Sequence, residues 1–262
     1  MKARIVRRRN IIAVDDDSLV SERIFTFFKE QFLSGELRPG DTLLPERELA
    51  QRLGVSRPTL REVMRAMALL GVIEIRRGQK AVVAAPSADV LQNFFGILLW
   101  MRPSIYQHIL EARIAVECQA VRLACVNAQA VDIEGLRLAL ARIQDTASDA
   151  DAGAEADFDF HTLIVLASHN EVLRFIHEAV ATLLRKSHRE RRQQVSGQSE
   201  FLATLGDAHR QLLNAIVARD PDAAETAVRQ HFYIAQEHER RKSVQQAGFA
   251  PSKTSGKRAN GR

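Results

Sequence analysis

The segment from residue 45 to residue 71 constrains the fold of this chain more than any other. It reads PERELAQRLGVSRPTLREVMRAMALLG. Pro45 and the acidic residues after it suit the first turn of a helix, and Gly54 permits a tight turn. Ser56 can then cap a second helix, in which apolar residues recur at helical spacing and form one face. The segment therefore predicts a helix-turn-helix.

The second of these helices carries Arg57, Thr59, Arg61 and Arg65 away from its apolar face. In a helix-turn-helix, the N-terminal side chains of this helix contact base edges in the major groove. The next segment, VIEIRRGQKAVVA, predicts a β-hairpin that can act as a wing against DNA. An ordinary helix pair with a solvated basic face is the alternative. The turn, the position of the arginines and the hairpin together favour DNA binding.

The charge distribution supports this division of the chain. Residues 1–85 carry 16 basic and 11 acidic residues, and residues 86–240 carry 15 basic and 21 acidic residues. The last 22 residues, 241–262, carry six basic residues and no acidic ones. A basic N-terminal region followed by an acidic middle is expected if only the former meets phosphates.

Residues 18–84 resemble the winged-helix domain of the GntR family of bacterial transcription regulators. The resemblance rests on SGELRPGDTLLPERELAQRLGVSRPTLREVMRAMALLGVIEIRRG. Pro45 and the pair Gln79-Lys80 depart from the family pattern, and the second departure lies in the wing. The resemblance implies that the following residues contact DNA: Arg47, Ser56, Arg57, Thr59, Arg61, Arg77 and Gly78. Arginine can bind guanine in a bidentate manner, which suits this role.

The middle of the chain has the apolar periodicity and punctuation of helices. We predict about seven, over 88–101, 104–127, 130–148, 151–168, 171–194, 197–218 and 221–241. No strand pattern or glycine-rich phosphate loop is visible there. The predicted fold is mainly α: an N-terminal winged helix-turn-helix with a small β-hairpin, and a C-terminal all-α antiparallel helical bundle.

Three histidines and an aspartate form a candidate metal site in this bundle. Asp157 and His161 lie one helical turn apart, so they share a helix face. His209 and His231 belong to two later helices. Imidazole and carboxylate ligands suit a divalent transition metal, but lone histidines on helices are more often packed or exposed than ligating.

Residues 88–240 resemble the FCD effector domain of the FadR-type branch of the family. The segments that carry this resemblance are EARIAVECQAVRLA, DFDFHTLIVLASHN and HRQLLNAIVARDPDAAETAVRQH. The resemblance implies that Asp157, His161, His209 and His231 bind a divalent metal, with zinc first and nickel, manganese or iron as alternatives. It also implies that Arg113, in the EAR motif, helps to bind a small carboxylate effector.

Two other functions compete with a ligand-responsive regulator. A metal-dependent hydrolase would use Arg113 to bind an anionic substrate and Glu117 as a base, but an Arg-Glu pair at this spacing is at least as typical of a structural ion pair. The DNA motif also has no role in a plain enzyme. A DNA binder without metal or effector would merely pack its histidines. We therefore predict a non-enzymatic regulator, a repressor by resemblance.

The sequence further predicts a cytoplasmic homodimer on a palindromic operator, with no membrane segment. Its predicted parts are a flexible basic arm over 1–17, the DNA-binding domain over 18–84, a linker over 85–89, the effector domain over 90–240 and a disordered basic tail over 241–262.

Overall fold

The computed structural model describes residues 17–76, 79–194 and 198–248. The chain divides into two compact units, Met1–Ile97 and Leu98–Arg262. Residues 1–16 of the predicted arm and residues 249–262 of the predicted tail lie outside the described residues. Among the described helices, none has the length and hydrophobicity required to cross a membrane.

The first unit contains a helix-turn-helix and a hairpin, as predicted. Its elements are α1 (Asp17–Leu33), α2 (Glu46–Leu53), α3 (Arg57–Leu69), β1 (Ile73–Glu74) and β2 (Val82–Val83). The two strands pair antiparallel, with Ile73 opposite Val83 and Glu74 opposite Val82. An isolated bridge joins Thr42 to Val82.

The turn between α2 and α3 forms for the reasons that the sequence suggests. Gly54 has a φ of 66°, in the left-handed region that glycine adopts without steric cost. The hydroxyl of Ser56 accepts a hydrogen bond from the Thr59 N–H at 3.2 Å and so caps α3. The apolar face of α3 is buried with Phe28 of α1, through Leu60, Val63, Met64 and Met67. The first turn of α3 is thereby held in place with its polar side chains exposed.

The predicted seven helices follow, and the mainly α fold is confirmed. They are α4 (Asp89–Met101), α5 (Tyr106–Asn127), α6 (Ala130–Asp145), α7 (Ala150–Ala167), α8 (Glu171–Gln194), α9 (Ser199–Val217) and α10 (Pro221–Gly248), with a short 3-10 turn over Pro103–Ile105. The side chains of Asn170 and Asp220 accept hydrogen bonds from backbone N–H groups at the starts of α8 and α10. In the bundle, α5 packs against α7, α8, α9 and α10.

Two boundaries differ from the predicted ones. The first unit extends to Ile97, inside α4, whereas the predicted linker ends at residue 89. Val90 lies close to Gly71, since a Cβ at Gly71 would be 3.3 Å from the Val90 side chain. Helix α10 continues to Gly248, past the predicted start of the tail at residue 241. Arg240 and Arg241 pair with Glu237 at 2.8 and 3.0 Å, and such pairs stabilise the helix just before this extension.

Candidate metal centre and DNA-binding surface

The predicted DNA contacts that the structure describes lie on α2 and at the start of α3. The side chains of Arg47, Arg57 and Arg61 are exposed, as is Ser56, and Thr59 is half-buried. Arg77 and Gly78 of the wing lie outside the described residues. The surface therefore presents three guanidinium groups around the first turn of the predicted recognition helix.

These three arginines differ in their partners. Arg61 donates through Nη2 and Nε to Glu46 Oε2, at 2.8 and 3.1 Å. The hydrogen bond and the charge of Glu46 raise the pKa of Arg61. Neither Arg47 nor Arg57 forms an ion pair within the described part of the chain. The hydroxyls of Ser56 and Thr59 lie 2.7 Å apart and are joined by a hydrogen bond.

The four predicted metal ligands come together in the bundle of the second unit. Asp157 and His161 project from α7, His209 from α9 and His231 from α10, and all four are buried. One ligand atom from each lies within 4.8 Å of the others. His161 Nε2 is 3.1 Å from His231 Nε2, and His209 Nε2 is 3.0 Å from Asp157 Oδ1. Two nitrogens on one tetrahedral zinc ion lie about 3.3 Å apart, so these separations suit a shared ion.

A buried carboxylate orients His161. Glu117, on α5, contacts His161 Nδ1 through Oε2 at 2.5 Å. Its Oε1 accepts from Arg113 Nε at 2.6 Å and lies 3.3 Å from His177 Nε2. When His161 donates through Nδ1, its Nε2 lone pair is available on the side of His231. A carboxylate in this position is the usual partner of a metal-binding histidine.

The electrostatics of the cluster favour ligation. Burial lowers the pKa of His161 and lowers that of His231 further, with the neighbouring His209 and His161 adding to the second shift. Both imidazoles are therefore neutral, which is the form that binds metals. Burial alone would raise the pKa of Glu117, but the charge of Arg113 and the hydrogen bonds from His161 and His177 hold it well below the usual value.

Several buried nitrogens in the cluster lack hydrogen-bond partners. Among the described residues, nothing hydrogen-bonds to Nδ1 or Nε2 of His209 or to Nδ1 of His231. An unsatisfied buried polar group costs about 1–3 kcal/mol. A metal ion would engage one lone pair on each of these rings, so the residues present fit such an ion. Phe160 packs edge-on against His161 and His209, with ring centroids at 5.9 and 5.2 Å.

The side chain of Arg113 contacts other residues of the bundle, which a residue that only binds an effector would not need to do. Its side chain is buried, pairs with Glu117 and lies over the Phe232 ring, with 5.3 Å from its central carbon to the ring centroid. Its charge is thus compensated within the chain, and its predicted contact with an effector stays a prediction. Sequence reasoning missed the roles of Glu117 as an orienting group and of His177 as its neighbour. The apolar residues around His177, in RFIHEAV, are the signal of its burial.

A cavity of about 700 Å³ lies beside the cluster, within the second unit. His209 lines it, together with residues of α6, of the end of α8 and of α9. The wall is largely apolar, with a few polar groups, and it includes Ile143, Leu202, Leu205, Gln144, Ser148 and Arg192. Both the volume and the lining are typical of a site for a small molecule.

Comparisons with known proteins agree with both halves of this description. Residues 20–83 match the model for bacterial regulatory proteins of the gntR family, and residues 108–233 match the model for the FCD domain. The chain is 30% identical over 216 residues to the "Putative L-lactate dehydrogenase operon regulatory protein" of Escherichia coli (strain K12). The aligned region covers 81% of each protein. This chain belongs to the GntR family.

Within the GntR family, the FCD domain assigns it to the FadR-type branch. The chain is also 29% identical over 199 residues to the HTH-type transcriptional regulator LutR of Bacillus subtilis (strain 168), covering 76% of this chain and 91% of LutR. The structure of Streptococcus agalactiae GntR has the same fold, with a TM-score of 0.61 and 20% identity over 85% of this chain and 99% of that one. The protein is a DNA-binding transcriptional regulator of the GntR type with an FCD domain.

Proposed function

We propose that this regulator is a repressor whose FCD domain binds a divalent metal ion and a small carboxylate metabolite that releases it from its operator. The observation that carries the proposal is the buried cluster of Asp157, His161, His209 and His231, whose ligand atoms lie within 4.8 Å of one another. Three imidazoles and one carboxylate make zinc the first candidate, with nickel, iron or manganese as alternatives. The bound ion supplies positive charge and open coordination positions for a carboxylate.

The surrounding residues hold the ligands in their binding state. Glu117 accepts a hydrogen bond from Nδ1 of His161, and Arg113 in turn keeps Glu117 ionised through their 2.6 Å contact. In this proposal, Arg113 therefore influences the effector through Glu117 and His161. An E. coli relative carries the name of a regulator of an L-lactate dehydrogenase operon, which supports an organic acid as the effector class.

The DNA-binding role rests on the first turn of α3 and on α2. Arg57 and Arg61 would contact bases, Arg47 would contact the backbone or bases nearby, and Ser56 and Thr59 would assist. We propose a homodimer that binds a palindromic operator in the cytoplasm, because two-fold symmetry pairs two recognition helices. Helix α4 supports a dimer, because a second protomer could bury its exposed apolar residues: Phe94, Ile97, Trp100 and Met101.

Metal content and DNA release test this proposal together. The purified wild type should contain about one divalent ion per chain, and His209→Ala should contain much less because one of the four ligands is removed. The DNA would be an operator selected from random sequence by the wild type, with binding measured by fluorescence anisotropy. A panel of small carboxylic acids should release this DNA from the metal-loaded protein but not from His209→Ala. Wild-type protein that holds no metal, or that keeps its DNA in every acid, would refute the proposal.

A further inference from the structure

Arg192, near the end of α8, is a buried charge in the wall of the cavity. Only 7% of the residue is exposed, and it lines the same space as His209. Within the described ranges, no carboxylate lies in ion-pair contact with it. A buried guanidinium without a counter-charge is unfavourable, so such groups usually meet an anion.

The other arginines of α8 whose side chains are described show the opposite arrangement. Arg174 contacts Glu178 at 2.7 Å, Arg185 contacts Glu155 at 3.4 Å and Arg189 contacts Glu155 at 2.7 Å. All three are more exposed than Arg192. Among the described residues, the helix therefore pairs the arginines that water could solvate and leaves the buried one without a carboxylate.

Gly153, on α7, gives the Arg192 guanidinium its position. A Cβ at Gly153 would lie 3.0 Å from Arg192 Nη2 and 3.2 Å from Nε, and also 3.0 Å from the Thr146 carbonyl oxygen. Any side chain at this position would push the guanidinium away from α7. The absence of a side chain thus lets Arg192 pack against the helix that carries two of the proposed metal ligands.

This packing places the guanidinium near the part of α7 that carries Asp157. Gly153 and Asp157 are four residues apart on α7, which corresponds to about 6 Å along the helix. Asp157 in turn lies 3.0 Å from His209, which lines the cavity. The cavity wall therefore includes one member of the cluster, His209, and a buried positive charge that packs about one helical turn from Asp157 along α7.

We propose that Arg192 is an anion-binding residue and that the effector is a small acid with two anionic groups, such as a four-carbon dicarboxylate. One carboxylate faces the cluster of Asp157 and the three histidines, and the second accepts hydrogen bonds from Arg192. This inference rests on the proposed function for the first carboxylate. The second carboxylate compensates the buried charge while the first faces the cluster.

A matched pair of acids tests the inference. L-malate is L-lactate with one additional carboxylate, so both share the 2-hydroxy acid end. Binding to the full-length, metal-loaded protein would be measured by calorimetry. The wild type should bind L-malate more tightly than L-lactate. Arg192→Gln should weaken L-malate by about 10- to 100-fold, the value of a charge-assisted hydrogen bond, and change L-lactate by less than about 3-fold.

Two further variants separate this role from folding. Arg189→Gln removes an exposed arginine of the same helix that does not line the cavity, and it should leave both affinities unchanged. Gly153→Ala keeps Arg192 but displaces its guanidinium, so it should also weaken L-malate selectively. The inference would be overturned if Arg192→Gln lost affinity equally for both acids or lost none for L-malate. It would also be overturned if the wild type did not bind L-malate.

Metal analysis distinguishes failure here from failure of the proposed function. Arg192→Gln should retain the wild-type metal content, whereas His209→Ala should lose it together with L-lactate binding. A wild type without metal would refute the proposed function. Even then, the ratio of L-malate affinities between the wild type and Arg192→Gln would decide whether Arg192 binds the anion.

Discussion

The two candidate sites of this protein, one in each unit, keep their charged side chains in opposite environments. On α2 and α3, the arginines are exposed, and Arg61 holds a carboxylate that water or DNA phosphate could replace. In the helical bundle, Arg113, Glu117 and His161 form a buried chain of contacts that ends at the proposed metal site. A substitution on the first surface should therefore change DNA binding alone. A substitution in the buried chain should change stability and ligand binding together.

The strongest test of this contrast is Glu117→Gln. It leaves the buried Arg113 without a counter-charge and weakens the group that orients His161. We expect the free energy of unfolding to fall by about 3 kcal/mol. The affinity for metal should fall by about 10- to 100-fold, as is usual when such an orienting group is lost. Chemical denaturation and competition with a metal chelator would measure the two effects.

Glu178→Gln is the matched control, because Glu178 pairs with Arg174 at the same i,i+4 spacing and at 2.7 Å. Unlike Arg113 and Glu117, both of these side chains are partly exposed. An exposed pair contributes about 0–1 kcal/mol, so this variant should be close to wild type. Similar losses in the two variants would remove the distinction between buried and exposed pairs on which the comparison depends.

Arg57→Ala should have the next largest effect, and only on DNA. Loss of a base contact should cost about 1–3 kcal/mol on the selected operator and relax base preference at one position. The melting temperature and metal content should not change, because the side chain is exposed. Anisotropy titrations on operator and random DNA would measure this. Arg65→Ala, on the same helix about 12 Å further on, is the control. An equal loss on both DNAs would assign Arg57 to phosphate instead.

Glu46→Gln should have the smallest effect, and in the opposite direction. Arg61 must give up its contact with Glu46 before it can use both donors on DNA. Removing the charge should tighten operator binding by up to about 5-fold, the value of an exposed ion pair. Glu48→Gln, which frees Arg52 on the same helix, should have less effect. Weaker binding by Glu46→Gln would mean that Glu46 positions Arg61 for DNA.

Much of the fold was predictable because local signals agree with the packing. Gly54, Ser56, Asn170 and Asp220 mark helix ends through their own backbone or side-chain chemistry, and the structure places helix ends at each of them. The extension of α10 was missed because apolar periodicity ends before the helix does. Ion pairs of Glu237 with Arg240 and Arg241 stabilise the helix just before that part, and they leave no hydrophobic pattern.

The candidate site was predictable only in part. The four-residue spacing of Asp157 and His161 indicates a shared helix face, whereas the partnership with His209 and His231 came from the resemblance to the FCD domain. The links of Glu117 to His161 and of Arg192 to Gly153 join helices distant in sequence. Such contacts depend on how the helices rotate against one another, which periodicity does not determine.

Helix α10 carries His231 near its middle and continues as a single helix to Gly248. The 17 residues beyond His231 span about 26 Å. A tilt of about 5° pivoting at His231 would move the end of this helix by about 2 Å. The length of α10 would thus amplify a small rotation at His231 into a much larger displacement at the far end of the helix.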